Sequence, residues 1–373
     1  MRVAIVHDWL TNLGGGERVV EALTEAFPEA PIYTSVYDPS GINLFDKKEV
    51  RSSFLQSWPM AKSRHQLYPM LRRYAFESFD FSEYDVVISS SSAEAKGIVT
   101  STETIHISYI HTPTRYYWSG YQDYLDSPGL GIFNPLAKIV LPRVVKNMRK
   151  WDYAAAQRPD CLVANSKTVQ ERVLKYYKRD SQIIFPPVEV DRFNTSDNEE
   201  EGGYYLVVSR LIPYKRVDLA VQACSELNKR LIVVGDGSEL AKLRKIASSN
   251  VEFVDNADDK LVAELYSKCK ALIFTAYEDF GIVPVEAMAS GTPVITYGYG
   301  GASESVIDSQ TGIFFNTQSI ESLKEAISRF EQMKFSKGAI RKHAEKFSKN
   351  RFIREITDLV NDKYEQKYSK QTK

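Results

Sequence analysis

Several things are scarce in this sequence, and each scarcity excludes a class of protein. Nowhere do 18 uncharged apolar residues follow one another, so no segment is long enough for a membrane-spanning helix. An excess of charge of one sign is missing too. The 48 Lys and Arg balance 48 Asp and Glu in 373 residues, for a formal net charge of zero. That argues against a protein held on nucleic acid mainly by phosphate attraction. Cysteine is rare: Cys161, Cys224 and Cys269 lie 63 and 45 residues apart. Such spacing fits neither a disulfide framework nor a zinc site and points to a reducing cytoplasm. The apolar start Val3–Val6 runs at once into His7 and Asp8, too short for the core of a signal peptide. His7, His65, His106, His111 and His343 show no metal-ligand spacing, and no Asp-x-Asp motif occurs; no metal is expected.

What is present is ordinary for a globular protein: 43% hydrophobic and 26% charged residues. At about 150 residues per domain, the length favours two domains. Short apolar runs recur at Arg2–Asp8, Pro31–Tyr37, Asp85–Ser91, Ile105–His111 and Cys161–Ser166. They return at Tyr204–Arg210, Arg230–Gly237, Val251–Asp255, Ala271–Tyr277, Pro293–Gly298 and Thr311–Asn316. Continuous runs such as LIVVG, separated by helical spacing, mark parallel strands covered on both faces. The class expected is α/β, with two doubly wound, Rossmann-like domains whose strand ends would face a central cleft. Pro186-Pro187 and the polar stretch Asn194–Gly203 mark the join. The divisions expected are 1–187, 188–350, and a C-terminal helix over 351–373 that packs back toward the first domain, with Phe352, Ile353, Ile356 and Val360 on one stripe.

The segment Ala271–Ile295 holds the densest chemistry. A strand leads through Glu278 and Gly281 into a helix with Pro284 at its first position and Gly291 past its end. Unpaired N–H groups around Phe280, Gly281, Ile282 and Val283 would attract phosphate or sugar oxygens. Glu278 in the loop and Glu286 in the first turn frame that terminus. Spacing alone leaves two readings, a ligand-binding pair or a loop charge beside an acid that complements the helix dipole. Arg210 and Lys215, at the end of the strand Tyr204–Arg210, would make a diphosphate clamp or stay solvated. In the first half, Gly14-Gly15-Gly16 follows a strand and opens a helix, letting backbone approach a ligand. The third glycine of a dinucleotide fingerprint would fall at Val19, so that reading is disfavoured.

The order Ser209-Arg210…Lys215, Gly235-Asp236-Gly237, then Glu278-Asp279-Phe280-Gly281…Glu286-Ala287-Met288-Ala289-Ser290-Gly291-Thr292-Pro293-Val294 resembles the GT-B retaining glycosyltransferases, and within them family four. The opening HDWLTNLGGGERV and the segment Ser108–Trp118 are similar to its bacterial GDP-mannose-dependent mannosyltransferases of O-antigen and exopolysaccharide assembly. The resemblance implies transfer of a hexose from a nucleotide sugar to a glycan or polyprenyl-linked acceptor, with no cofactor. It places His111 and Glu278 beside the donor sugar and Glu286 on the ribose. Arg210 and Lys215 would hold the diphosphate, and Gly15, Gly16, Phe280, Gly281, Ile282 and Val283 would bind the donor through backbone. A UDP-sugar donor, or an epimerase or hydrolase on the same fold, is the alternative.

Two basic amphipathic stretches, Met60–Phe76 and Lys138–Trp151, read either as helices with solvated faces or as contacts to an anionic membrane. The second reading would put the enzyme peripherally at the inner face of the cell membrane.

Overall fold

The computed structural model describes residues 1–65, 68–126, 134–193 and 202–369. These form two compact units, Met1–Phe185 with Phe352–Lys373, and Pro186–Arg351. Most of the Asn194–Gly203 stretch lies outside the described residues, as does Leu67 of the first basic stretch.

The first unit is built on a parallel sheet of β1 (Val3–His7), β2 (Ile32–Thr34), β3 (Val50–Ser52), β4 (Val86–Ser91), β5 (Ile105–Ile110), β6 (Cys161–Ala164) and β7 (Gln182–Ile183), ordered β3-β2-β1-β4-β5-β6-β7. The register sets Ile5 opposite Ile32 and Ile88, and Ile107 opposite Ile88 and Cys161. β1, β4 and β5 are buried along their whole length, as expected of parallel strands sandwiched between helices. Phe352, Ile356, Leu359 and Val360, from the helix Lys349–Tyr368, fill the same core as Val19, Leu23, Ile32 and Tyr109.

The second unit holds β8 (Tyr205–Val208), β9 (Leu231–Val234), β10 (Val251–Val254), β11 (Ala271–Phe274), β12 (Val294–Tyr297) and β13 (Gly312–Phe315), all parallel and ordered β10-β9-β8-β11-β12-β13. Its core joins Val207, Leu231 and Ile273 to Val221, Ala326 and Ile327 of the covering helices. Ser319 shows how those helices begin: its side chain accepts from the Ser322 N–H at 3.2 Å and caps the amphipathic helix Ile320–Phe330.

Each run anticipated from apolar patterning is a strand. The two that patterning passes over, β3 and β7, are short edges: Arg51, Ser52 and Gln182 are exposed, so they carry no apolar run. Among the described residues no helix is long and apolar enough to cross a membrane.

Both sheets share a topological consequence. The chain winds outward from β1 through β2 to β3, then returns to β4 on the other flank of β1. The second sheet repeats this with β8, β9 and β10, then β11. Strand order therefore reverses between β1 and β4 and between β8 and β11. The loops leaving the carboxyl ends of those strands diverge there and leave room for a ligand.

Candidate functional site

At the second unit's switch point, the loop after β11 carries Tyr277, Glu278, Asp279 and Phe280 to Gly281, which has φ +85° and opens the helix Ile282–Ala289. A left-handed residue turns the chain sharply into the helix axis, and glycine adopts that conformation at no steric cost. No side chain caps this helix; the N–H groups of its first turn are the donors that Ile282 and Val283 contribute. Phe280 is buried, with its ring 5.7 Å from that of Phe347. Gly300 and Gly301 back the acidic loop: the Gly301 N–H donates to the Glu278 carbonyl at 2.8 Å, and a β-carbon on Gly301 would lie 2.2 Å from Asp279 O.

Two details differ from the sequence-based expectation. The helix begins at Ile282, so Pro284 is its third residue rather than its first, and Glu286 sits in the second turn rather than the first. Proline is tolerated at either position, because the first N–H groups of a helix have no intrahelical acceptor. Glu286 is thus one turn too deep to act mainly on the dipole. It accepts from the Tyr266 hydroxyl at 3.1 Å. Burial and the Glu286 charge push the Tyr266 phenol well above its ordinary pKa, which keeps that hydroxyl a donor.

Lys215 ends a 3₁₀ turn, Pro213–Lys215, and Arg216 at φ +52° leads into the helix Val217–Glu226. The Lys215 ammonium is ion-paired with Glu278, and its carbonyl accepts from Thr275 Oγ1 at 2.8 Å. Lys215 and Glu278 thus meet across 63 residues of sequence. Arg210 is exposed two residues beyond β8.

At the first unit's switch point, Gly14 precedes the helix Gly15–Ala26, again with no side-chain cap. A methyl group on Gly16 would lie 3.3 Å from His7 Cε1 and 3.7 Å from His111 Nε2. The glycine turn and His111, about 95 residues apart in sequence, therefore converge. His111 follows β5 and faces the Ser90 hydroxyl at 2.7 Å, while Asn165 Nδ2 donates to its carbonyl at 3.0 Å. Sequence reasoning missed His7, Ser90 and Glu17 here. His7 ends β1 as His111 follows β5, and that symmetry about the intervening strand was the available signal.

Burial pulls the His7 imidazolium toward a lower pKa, but Glu17, Asp8 and the Ser90 carbonyl outweigh it and raise the value above the ordinary one. The other buried histidines of this unit go the opposite way. Burial and Arg72 lower His65 to about 4, and burial with Arg158 and Arg179 lowers His106 to about 3. Among the described residues, no three His, Cys, Asp or Glu side chains gather in a way that could hold a metal ion.

Two family models match the chain: Glycosyltransferase Family 4 over residues 13–192, and Glycosyl transferases group 1 over residues 189–353. An uncharacterized glycosyltransferase of Methanocaldococcus jannaschii is 22% identical over 94% of this chain and 93% of its own. The D-inositol 3-phosphate glycosyltransferase of Mycobacteroides abscessus is 28% identical over 51% of this chain and 48% of its own, so the match spans about half of that relative. Among solved structures, Anabaena HepE in complex with UDP superposes with a TM-score of 0.71 at 18% identity, over 97% of this chain and 100% of that one. Two parallel Rossmann-like units, their uncapped helix N-termini at the switch points and these matches agree: the chain is a family-4-type glycosyltransferase of the GT-B fold.

Proposed function

We propose that the chain moves mannose from GDP-mannose to a glycan or lipid-linked glycan acceptor, with retention of configuration and without a metal. The observation that carries this reading is the second unit's loop, where Lys215, Glu278 and an uncapped helix N-terminus lie together. Lys215 and Arg210 neutralise the charge that grows on the departing diphosphate, and the N–H groups from Phe280 to Val283 add fixed donors. Glu278 accepts from hydroxyls of the transferred sugar and Glu286 from the ribose, because a carboxylate can accept from both members of a diol. His111 and the backbone of Gly15 and Gly16 are assigned to the donor as well. No side chain is assigned as a covalent nucleophile; a donor phosphate oxygen takes the acceptor proton.

A second reading, a UDP-sugar donor, is favoured by the complexes of HepE with UDP and with UDP-glucose. A thermal-shift panel of GDP-, UDP- and ADP-sugars separates the two. A ligand at a hundred times its Kd stabilises by about 2.7 kcal/mol, so GDP-mannose should raise Tm most. A larger rise with a UDP-sugar would select the second reading, and turnover without any acceptor would select an epimerase or hydrolase.

Lys215→Ala and Arg210→Ala should each weaken nucleotide-sugar binding, and their losses should be non-additive because they hold one diphosphate. Additive losses in a double-mutant cycle would count against a shared site. Transfer should also survive excess EDTA; abolition by chelator with rescue by manganese would sink the metal-free chemistry.

Peripheral membrane docking belongs to the same proposal. On the helix Asn134–Ala155, Ile139 is 62% and Val140 46% exposed beside exposed Lys138, Arg143, Lys146 and Lys150. Around the first stretch, Trp58, Met60 and Tyr74 are exposed along with Lys62 and Arg64. Arg72 does not belong to that face: it is buried and paired with Glu94. The protein should sediment with anionic liposomes more than with neutral ones and be released by salt. Equal, negligible binding to both would refute electrostatic docking.

A further inference from the structure

We infer that Ser90 and His7 are positioning residues for His111: the Ser90 hydroxyl, set between the two imidazoles, keeps the proton of neutral His111 on Nδ1. The inference deepens the transferase reading and rests on it only for the part His111 plays there.

Strand order creates the arrangement. β4 runs between β1 and β5, with His7 opposite Ser90 and Ser91 opposite Ile110. His7 Nδ1 lies 3.0 Å from the Ser90 carbonyl oxygen. A carbonyl only accepts, so that nitrogen carries a hydrogen. His7 Nε2 lies 3.6 Å from a carboxylate oxygen of buried Glu17. With an acceptor at each nitrogen, His7 favours its doubly protonated form, and its raised pKa agrees.

The same Nδ1–H of His7 is 3.2 Å from Ser90 Oγ, so a hydrogen already points at that oxygen. Turned away from that donor, the hydroxyl's own hydrogen can reach His111 Nε2, 2.7 Å away. A ring nitrogen that accepts is unprotonated, which leaves the neutral ring's proton on Nδ1.

Among the groups that face the pair are Glu17 on the helix after the glycine turn, Asp8 beyond β1, Ser90 on β4 and Tyr109 on β5. Tyr109 sets its ring 5.3 Å from His111. The Asp8 carboxylate is taken up by the N–H groups of Ser92, Ala93 and Ala95 at 2.6, 2.9 and 2.7 Å, so Glu17 is the acid directed at His7. Gly16 covers both rings. The chain of contacts thus links the glycine turn to His111 and fixes which nitrogen of His111 can donate.

The test is a set of long-range proton–nitrogen spectra of the full-length protein labelled with nitrogen-15 histidine, assigned with His7→Gln and His111→Gln. Near pH 7, at about the ordinary imidazole range, His111 should show an unprotonated Nε2 and a protonated Nδ1, and His7 should be protonated at both. Ser90→Ala should turn His111 into a mixture of tautomers. It should also lower kcat on the order of tenfold with KM for the donor little changed, and Ser90→Thr should restore both. Glu17→Gln should lower the His7 pKa, which keeps the inference testable if Ser90→Ala fails to fold. A proton on His111 Nε2 in the unmodified protein, or a tautomer indifferent to Ser90→Ala, would overturn it. The tautomer in place but no transfer from any nucleotide sugar would overturn the transferase reading instead.

Discussion

Glu278→Gln should lower kcat roughly 100-fold or more, a loss of about 2.7 kcal/mol of transition-state stabilisation, while affinity for free nucleoside diphosphate stays nearly intact. The reasoning is differential. A carboxylate on the sugar side gains strength as positive charge develops on the transferred ring, so removing its charge is felt in the transition state more than in the ground state. The Lys215–Glu278 ion pair sharpens the expectation. The glutamine oxygen can still accept from the ammonium, so Lys215 stays in place and is, if anything, freer to meet the diphosphate.

Glu286→Gln should do the reverse, weakening the free diphosphate by about 1–3 kcal/mol for a lost charged hydrogen bond. Its amide oxygen can still accept from the buried Tyr266 hydroxyl, so the fold is undisturbed. Calorimetric titration of both variants with the diphosphate, alongside transfer rates, decides the matter. Equal losses of diphosphate affinity would show the two roles to be wrongly divided.

The second large effect concerns stability. Glu94→Leu should destabilise the first unit by about 3–5 kcal/mol. Glu94 is fully buried and accepts two hydrogen bonds from Arg72, at 2.8 and 3.1 Å. It also accepts from the hydroxyls of Tyr116 and Tyr117 at 3.1 and 2.9 Å. The substitution strands a guanidinium whose burial works against its charge and which the Glu94 charge holds above its ordinary pKa, and it removes the acceptor that both phenols share. Arg72→Met together with Glu94→Leu should recover much of the loss, because removing both charges also removes their desolvation penalty. Urea unfolding of the single and double variants measures this. A single variant within 1 kcal/mol of the parent, by the same ~1 kcal/mol scale as an ordinary exposed pair, would show that the network is not what holds this region.

The basic stretch Met60–Phe76 illustrates the limit of reading a helix face by residue type. Arg72 and Arg73 are equivalent in sequence, but Arg72 is 2% exposed and Arg73 is not buried. The acid that draws Arg72 inward lies 22 residues on, beyond β4. The second unit's acidic loop was easier to read, because strand, glycine, uncapped helix and terminating Gly291 all fall within Ala271–Ile295 and each signal is local. Even there, the start of the helix moved by two residues, since the turn at Gly281 and not the proline begins it.

By itself the sequence determined the class: apolar runs of strand length alternating with helical spacing admit little other than parallel sheets layered with helices. It also determined the loop chemistry, since turn and helix-start preferences are properties of a few neighbouring residues. Only the tertiary structure decided which loops share a sheet edge. A parallel neighbour is always a crossover away in sequence, and the order β3-β2-β1-β4-β5 goes with burying the central apolar strands β1, β4 and β5 between helices at once, a condition on the whole domain. That order sets Ser90 between His7 and His111, and the matching reversal between β8 and β11 brings Lys215 to Glu278. No local pattern encodes either meeting, because each depends on where the chain returns after burying the intervening crossover.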